Sequence, residues 1–498
     1  MLEYGIHWFR RDLRVAGNSA LKWNWKKNQG RTLGVFFFDS TFLDRPDFSH
    51  HRFAFFLETL RELQAELREM GGDLLVLDHG PDAGFEALFK KLHTQLPSCI
   101  TYNRDYEPFA RERDARVSQK IESHGVAVHT ERDHLLIEPH ELQKEPGVPS
   151  FYQIYSPFCR KWLSIIQQDD FQDRLSSQKE ALSYLEKRSR GEKIDPFFKL
   201  KWKELWSKIS SPESPPHNLP SLEDALDSFV EKNQPHVKIS IPPAGSRKAY
   251  EVLNEFRPRA TAYLDQRDFP SVRGTSGLSI YFKNGSITPA LVLAGLNLNQ
   301  FDFKDKSGRT QFLKEIVWRE FYYHILYHRP SVEHEAFLPQ YRELKWENNE
   351  KWFEAWTEGK TGFPIVDAGM RQLKTTGWMH NRVRMIVASF LTKDLLIDWK
   401  WGEKYFMNQL LDGDLAPNNG GWQWAASTGC DPQPYFRIFN PLLQSEKFDP
   451  KGEYIKKYIP ELRGVHADEI HQPGSLYIRP IVDHAVQKEK ALSLYRRS

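Results

Sequence analysis

An amino-terminal parallel-sheet α/β domain of Rossmann-like type, a long connector and a carboxyl-terminal all-α domain make up the architecture this sequence predicts. Three observations carry it. Five short apolar or β-branched runs alternate with helical stretches in the first 133 residues, a segment rich in Ser, Pro, Lys and Glu follows, and helix-forming segments dominate the remainder.

The runs are residues 4–9 (YGIHWF), 33–38 (LGVFFF), 73–77 (DLLVL), 99–102 (CITY) and 126–130 (VAVHT). The stretch FAFFLETLRELQAELREM between two of them has apolar residues at helical spacing. Such a β-α-β series predicts a parallel sheet with helices on both faces and a ligand crevice beyond the carboxyl ends of the strands. No G-x-G-x-x-G follows the first run, so the crevice is left to a ligand other than a dinucleotide, or to none. From Lys179 to about Pro243, including SSPESPPHNLPS at 210–221, the composition is that of a connector laid over the surface. Helices are then predicted in 245–264, 288–298, 308–327, 349–359, 364–377 and 379–411. The expected division is 1–133 for the α/β domain, 134–243 for the connector with some helices, and 244–478 for the helical domain.

With 498 residues, 40% apolar and 27% charged, and a mean hydropathy of -0.61, the chain is excluded from the collagen-like, disordered and membrane classes. No run approaches the ~18 apolar residues of a membrane span, and the first residues lack the layout of a secretory signal. A cytoplasmic protein without a membrane partner, acting as a monomer, is expected. Cys99, Cys159 and Cys430 form no C-x-x-C pair, which excludes a disulfide framework or a four-cysteine cluster and leaves no metal site expected. Lys+Arg 69 against Asp+Glu 66 neither demands nor forbids a polyanionic partner.

Eight of the 15 Trp fall between 346 and 424, where an even spread would place two or three. A Trp-rich helical core and an aromatic site for a flat ligand or an electron path both account for this. Between Asp367 and Asp394 there is no acidic residue, while Arg371, Lys374, Arg382, Arg384 and Lys393 lie there. Arg257, Arg259, Arg267, Arg273 and Arg437 add cations nearby, so a phosphate-binding face and a solvated helix face are the two readings. Thr275, Ser276 and Ser279 place three hydroxyls in a Gly-containing turn before a helix, which suits a pyrophosphate or a simple N-cap. Glu315 with Trp318, Asn381 with Arg384, and Asn381 with Met385 each share one helix face.

Residues 376–441, TGWMHNRVRMIVASFLTKDLLIDWKWGEKYFMNQLLDGDLAPNNGGWQWAASTGCDPQPYFRIFNP, closely resemble the flavin-binding heart of the photolyase/cryptochrome family. With FRRDLR from Phe9, TSGLS from Thr275 and EIVW from Glu315, the resemblance covers almost the whole chain. It implies non-covalent FAD, active as the reduced anion. Its contacts would come from Tyr263, Thr275, Ser276, Gly277, Leu278, Ser279, Phe312, Arg384, Asp412, Gly413, Asp414 and Asn418. Many relatives carry Arg at Gly277, so one polar contact is missing here. Asn418 matches the position facing flavin N5, where photolyases have Asn, plant-type cryptochromes Asp and insect-type cryptochromes Cys. A neutral amide suits a flavin kept reduced, which favours repair over signalling.

Trp422, Trp399 and Trp346 match the family's electron-transfer chain. The resemblance assigns DNA contacts to Arg267, Glu315, Trp318, Asn381, Arg382, Trp424, Arg437 and Gln444, with Trp318 and Trp424 able to sandwich a flipped-out base pair. Glu315, Asn381, Met385 and Asn418 are the implied catalytic set. Relatives acting on (6-4) photoproducts carry a His pair where Asn381 and Met385 stand, so a cyclobutane pyrimidine dimer (CPD) in UV-damaged DNA is the indicated substrate of a class I-like CPD photolyase. A cryptochrome-like photoreceptor and a flavin-loaded DNA-binding module are the alternatives. For a second, antenna chromophore, Asn103 to Pro108 with Arg52 resemble deazaflavin-binding members. The Asn-Glu pair of folate-binding members is replaced by Phe109 and Ala110, and their Lys near His334 is absent.

Overall fold

The protein is described by a computed structural model over residues 2–92, 95–144, 150–209, 222–298 and 305–496. Strands β1 (Gly5–Trp8), β2 (Thr32–Phe37), β3 (Leu74–Leu77), β4 (Cys99–Asn103) and β5 (Ala127–Glu131) each lie within one residue of the run that predicted them. All pair in parallel, in the order β3-β2-β1-β4-β5. β1 to β4 are buried along their whole length, as continuous apolar runs covered on both faces must be. Helices α1 (Ser19–Lys27), α2 (His50–Glu69), α3 (Pro81–Lys91) and α4 (Pro108–Ser123) provide the cover.

The strand order reverses between β1 and β4, so the crevice of this sheet opens beyond their carboxyl ends. The turn after β1 is set by a buried polar network. His7 contacts Thr101 Oγ1 at 3.0 Å and Asp12 at 3.2 Å, and Asn103 Nδ2 donates to Asp12 at 2.6 Å and to Asn18 at 2.8 Å. Fixing Asp12 in this way aims Arg10 and Arg11 out of the sheet toward the crevice.

Among its described residues the connecting segment carries α5 (Tyr155–Ile166), α6 (Asp169–Ser189), α7 (Trp202–Ile209) and α8 (Leu222–Asn233). Phe158, Trp162, Leu175 and Leu185 belong to the core of the helical domain, so α5 and α6 are part of that packing. The chain then returns to the sheet, where Trp202 Nε1 donates to Gly34 O at 2.7 Å and Phe229 of α8 lies 4.0 Å from Phe38. The SSPESPPHNLPS stretch at 210–221 lies outside the described residues.

The helical domain contains α9 (Gly245–Phe256), α10 (Tyr263–Gln266), α11 (Ser279–Lys283), α12 (Pro289–Gly295), α13 (Gly308–His328), α14 (Glu350–Thr357) and α15 (Pro364–Thr376). It continues through α16 (Asn381–Ser389), α17 (Trp399–Gln409), α18 (Leu415–Ala425), α19 (Pro441–Phe448), α20 (Glu453–Tyr458) and α21 (His484–Arg496). The expected helical run over 379–411 is broken in the middle. α16 ends in a π turn over Phe390–Asp394, Leu396 takes a φ of 52°, and Asp398 restarts the chain as α17 by capping Lys400 N. No Gly or Pro marks this break. α21 lies beyond the last stretch read as helical. It docks through His484 Nδ1 to Asp394 at 2.5 Å, Gln487 to Asp394 O at 2.5 Å, and the Tyr495 hydroxyl to Ala426 O.

Two buried polar side chains of α13 hold the segment after β5. Glu320 accepts from Leu136 N at 2.5 Å and from Trp162 Nε1 at 2.6 Å, and His324 Nε2 donates to Ile137 O at 3.0 Å. Burial pushes the His324 imidazole down to about 3, whereas the unfolded chain regains an ordinary value near 6.5. The unfolded state therefore binds a proton that the folded state refuses, and stability present above pH 6.5 is lost as pH falls toward 3. Denaturant unfolding is expected to show this loss. His324→Gln, which keeps a donor for Ile137, is expected to lose about 2 kcal/mol less than wild type between pH 6.5 and about 5.

Candidate active site

The crevice at the β1/β4 switch point is occupied by charged groups from both domains. Arg11 donates to Tyr323 Oη at 2.8 Å, Asp414 Oδ1 at 3.2 Å and Glu107 Oε1 at 3.0 Å. Lys283 Nζ reaches Asp414 Oδ1 at 2.9 Å, the Tyr323 hydroxyl donates to Asp414 Oδ2 at 2.7 Å, and Arg319 stands 3.7 Å from Oδ2. Burial alone would raise the Asp414 carboxyl, but Arg11, Lys283 and Arg319 hold it well below the usual carboxylate range. Both oxygens of Asp414 are thus taken up by protein groups. The motif FRRDLR supplied the signal for Arg11, while Lys283, Arg319 and Tyr323 had none.

The acidic turn places its other members differently. Arg384 Nη2 donates to Asp412 Oδ1 at 3.0 Å and Oδ2 at 2.8 Å, with its Nε on Met379 O. At Gly413 a Cβ would run into the Arg52 guanidinium, which donates to Met407 O at 2.5 Å and Leu410 O at 3.2 Å. A side chain at Gly413 would therefore displace the Arg52 guanidinium from this contact between the two domains. Asn418, on the first turn of α18, donates its amide hydrogens to the main-chain oxygen and the Oε1 of Glu403, both at 3.1 Å. Glu403 escaped the sequence reading because nothing in its spacing marks it.

The TSGLS turn leads into α11, a single turn of helix whose dipole is small, so hydroxyl and amide donors carry any anion contact. Ser276 Oγ accepts from Leu278 N at 3.3 Å, and Arg259 donates to Thr275 O at 3.2 Å. Gly277 adopts a φ of +72°, the left-handed region that glycine reaches without strain. Trp378 Nε1 donates to Ser279 Oγ at 3.3 Å, tying α11 to the segment before α16. Tyr263 and Phe312 form a buried T-shaped pair at 5.3 Å.

A chain of ion pairs runs from α13 to α16. Arg267 pairs with Glu315 and stands 3.7 Å from Asp268, whose other oxygen lies 2.7 Å from Arg382. Gln311 also donates to Glu315 Oε1 at 2.9 Å. Half-buried Trp318 is stacked on Tyr155 at 3.6 Å and 4°, so one face of its indole is occupied by the protein. Asn381 is exposed with its amide 3.9 Å from Met385 Sδ. Trp424 packs partly buried against the second helical core, Gln444 lies on α19, and Arg437 is exposed. Asp268, Gln311 and Tyr155 were not legible in the sequence.

The run of cations without acids is not a free positive face. Arg371 pairs with Glu461, Lys374 with Glu358, Arg384 with Asp412 and Arg273 with Glu255. Lys393 is fully buried, 3.0 Å from Ser427 Oγ and 3.6 Å from the Tyr495 ring centre, so it cannot meet a phosphate. The acidic partners come from segments distant in sequence, which a local charge count does not see. Trp399 and Trp422 are buried in one cluster with Trp346 packed on its edge. Trp346 also stands 6.2 Å from the Tyr495 ring, and Trp422 stands 6.1 Å from Trp356.

Two family models match the chain, one described as DNA photolyase over residues 5–177 and one as FAD binding domain of DNA photolyase over residues 312–497. The class is that of a two-domain flavoprotein. The chain is 37% identical over 509 residues to the deoxyribodipyrimidine photo-lyase of Vibrio cholerae, covering 98% of each. It is 36% identical over 500 residues to that of Escherichia coli, covering 98% of this chain and 97% of the other. A bacterial class III photolyase from Agrobacterium tumefaciens matches with a TM-score of 0.80 at 32% identity over 100% of this chain and 98% of that one. An archaeal photolyase from Sulfolobus tokodaii, solved with two FAD molecules, matches at 0.76 and 29% over 99% and 100%. The chain belongs to the DNA photolyase family.

Asp414 is the shared counter-charge of three cations, so Asp414→Ala leaves Arg11, Lys283 and Arg319 without it. A loss of about 3–5 kcal/mol in denaturant unfolding is expected, the usual cost of removing one partner of a buried ionic cluster. A loss below about 1 kcal/mol would show that the cations find other partners.

Proposed function

We propose that the protein is a deoxyribodipyrimidine photolyase that repairs cyclobutane pyrimidine dimers in DNA with light, using reduced FAD, and that it is class I-like. The observation that carries the substrate assignment is the ion-pair chain Glu315–Arg267–Asp268–Arg382. It links the helix bearing Glu315 and Trp318 to the helix bearing Asn381 and Met385, and no His stands at either of the last two positions.

The residues present fit FAD. Hydroxyl and amide donors in the Thr275–Ser279 turn suit the pyrophosphate, Gly277 gives that turn its φ of +72°, and the Arg384–Asp412 pair and Asn418 offer charge and an amide for the flavin ring. When bound, reduced FAD supplies an electron on absorbing light and receives it back after the cyclobutane ring has opened. The chain's part is to hold and orient. Trp318 and Trp424 clamp the flipped bases. Glu315, with Oε1 held by Arg267 and Gln311, keeps Oε2 for the base edge. Asn381 and Met385 contact the same edge from α16. Trp422, Trp399 and Trp346 relay electrons that restore an oxidised flavin.

A second site is proposed for an antenna chromophore of deazaflavin type. A cavity of about 320 Å3 opens at the crevice, walled by Phe42, Phe48 and Phe109 with Arg45, Arg52 and Arg113 among its polar groups. Aromatic walls suit a flat ring system. Among the described residues no helix is long and apolar enough to cross a membrane. We read the protein as a monomer working in the cytoplasm.

Illuminating the reduced, FAD-loaded protein with dimer-containing DNA is expected to restore thymines. An unchanged dimer count overturns the reading in favour of a photoreceptor. Trp422→Phe is expected to slow photoreduction of oxidised FAD by at least tenfold while repair by pre-reduced enzyme stays near wild type, because the two electron paths are separate. Arg437 pairs with no carboxylate among the described residues, so Arg437→Ala is expected to reduce the slope of log affinity against log salt by about 0.9, one phosphate contact. An unchanged slope removes Arg437 from the phosphate contacts.

A further inference from the structure

We propose that Asp268 is a specificity-determining residue that withholds Arg382 from the DNA backbone and so weakens binding to undamaged duplex, an inference that rests on the reading of the protein as a dimer-repairing photolyase. Asp268 lies in the turn after α10, and its Oδ2 stands 2.7 Å from Nη2 of Arg382 on the first turn of α16. Its Oδ1 stands 3.7 Å from Nε of Arg267, which Glu315 already holds. An aspartate in a turn ordinarily accepts from the backbone two residues on. Among the described residues this one does not, and its charge goes to the two guanidinium groups.

Arg382 is held at few points. Its guanidinium lies over the Phe448 ring at 4.3 Å, its Nε is buried without an acceptor among the described residues, and Asp268 is the carboxylate it pairs with. The acid is the more exposed partner, its side chain 32% accessible against 17% for the arginine, so a phosphate approaching this point meets the negative charge first. That repulsion and the standing ion pair act in the same direction. Neighbouring cations do not take over, because Arg267 is paired with Glu315 and Arg384 with Asp412.

The consequence differs between two kinds of DNA. Affinity for undamaged duplex comes from phosphates paired with cations, and such a duplex is free to slide until it finds the register that a released guanidinium prefers. A duplex with its dimer seated in the site is fixed in register by its base contacts. There Arg382 gains little by turning outward, since it gives up the Phe448 ring and the DNA does not shift to meet it. Withholding Arg382 therefore subtracts from undamaged binding, leaves dimer binding nearly as it was, and widens the ratio between them.

The test uses the full-length FAD-loaded protein in the dark and measures its affinity for a duplex with a single thymine dimer and for the same duplex without it, over a series of salt concentrations. Asp268→Asn keeps the shape and an acceptor oxygen for Arg382 while removing the charge. It is expected to tighten binding to undamaged duplex about fivefold at low salt and to steepen the slope of log affinity against log salt by about 0.9, one phosphate contact. Dimer binding is expected to stay near wild type, so discrimination falls. Asp268→Ala gives the same reading should the asparagine variant not accumulate. Adding Arg382→Ala to Asp268→Asn is expected to return the slope on undamaged duplex to that of wild type, and Arg382→Ala alone is expected to leave it there. An aspartate with only a structural role weakens both complexes when removed, so an unchanged or lower affinity for undamaged duplex overturns the proposal. An equal gain on the two duplexes overturns it as well, because Asp268 then restrains all DNA binding alike. So does a shallower slope in Arg382→Ala alone, which shows that Arg382 already meets a phosphate. If the wild-type protein itself does not distinguish the two duplexes, the reading as a repair enzyme fails, and the proposal falls with it.

Discussion

The carboxylate of Asp414 is the most heavily charged of the points at which the two domains meet, and the placement of α18 follows from it. It stands at the amino end of α18 and receives Arg11 from the turn after β1, Lys283 from α11, and Tyr323 with Arg319 from α13. A parallel sheet offers a crevice where its strand order reverses, and here charged groups of both domains meet at that crevice beside the cavity. The same helix carries Asn418 four residues later and Trp422 eight residues later. Anchoring its N-cap residue beside the sheet therefore fixes the position of the groups assigned to flavin contact and electron relay. Three cations around one carboxylate repay the cost of burying it, and they do so only while all the elements are assembled.

Glycine supplies the second constraint, at two close approaches. Gly402 leaves room for the Trp422 indole and Gly420 leaves room for Tyr322, so α18 is packed tightly on one side against α17 and on another against α13. Both contacts need backbone and ring within van der Waals distance, which any larger side chain prevents. Rigidity of α18 is what an electron relay and an oriented amide both require, and the packing provides it without a covalent link.

Much of this was legible in the sequence, for identifiable reasons. The five strands were read to within one residue because parallel strands are short apolar or β-branched runs, buried along their length in β1 to β4, and turn residues bound each run. Helix α13 was read almost to its ends. The break in 379–411 was not, because a π turn and the left-handed Leu396 are imposed by packing and carry no Gly or Pro signal. α21 was missed since its polar, weakly periodic sequence gives no sign of the Asp394 and Ala426 contacts that dock it. Site residues were named by family resemblance, whereas their partners, Asp268, Gln311, Tyr155 and Glu403, come from distant segments and had no pattern to betray them.

The pairing of the cations changes what each can do for a DNA ligand. Exposed Arg437 meets no internal carboxylate among the described residues, so a phosphate reaching it displaces only water and counterions. Arg267 and Arg382 are already engaged by Glu315 and Asp268, and transferring either to a phosphate costs the pair that is lost. Their internal work is the greater. Arg267 pins one oxygen of Glu315 with help from Gln311, and Arg382 lies over the Phe448 ring at 4.3 Å while holding Asp268. These guanidinium groups act as a frame around Glu315 and Asp268, and in the function proposed above the electrostatic attraction of DNA is left to the arginines outside that frame.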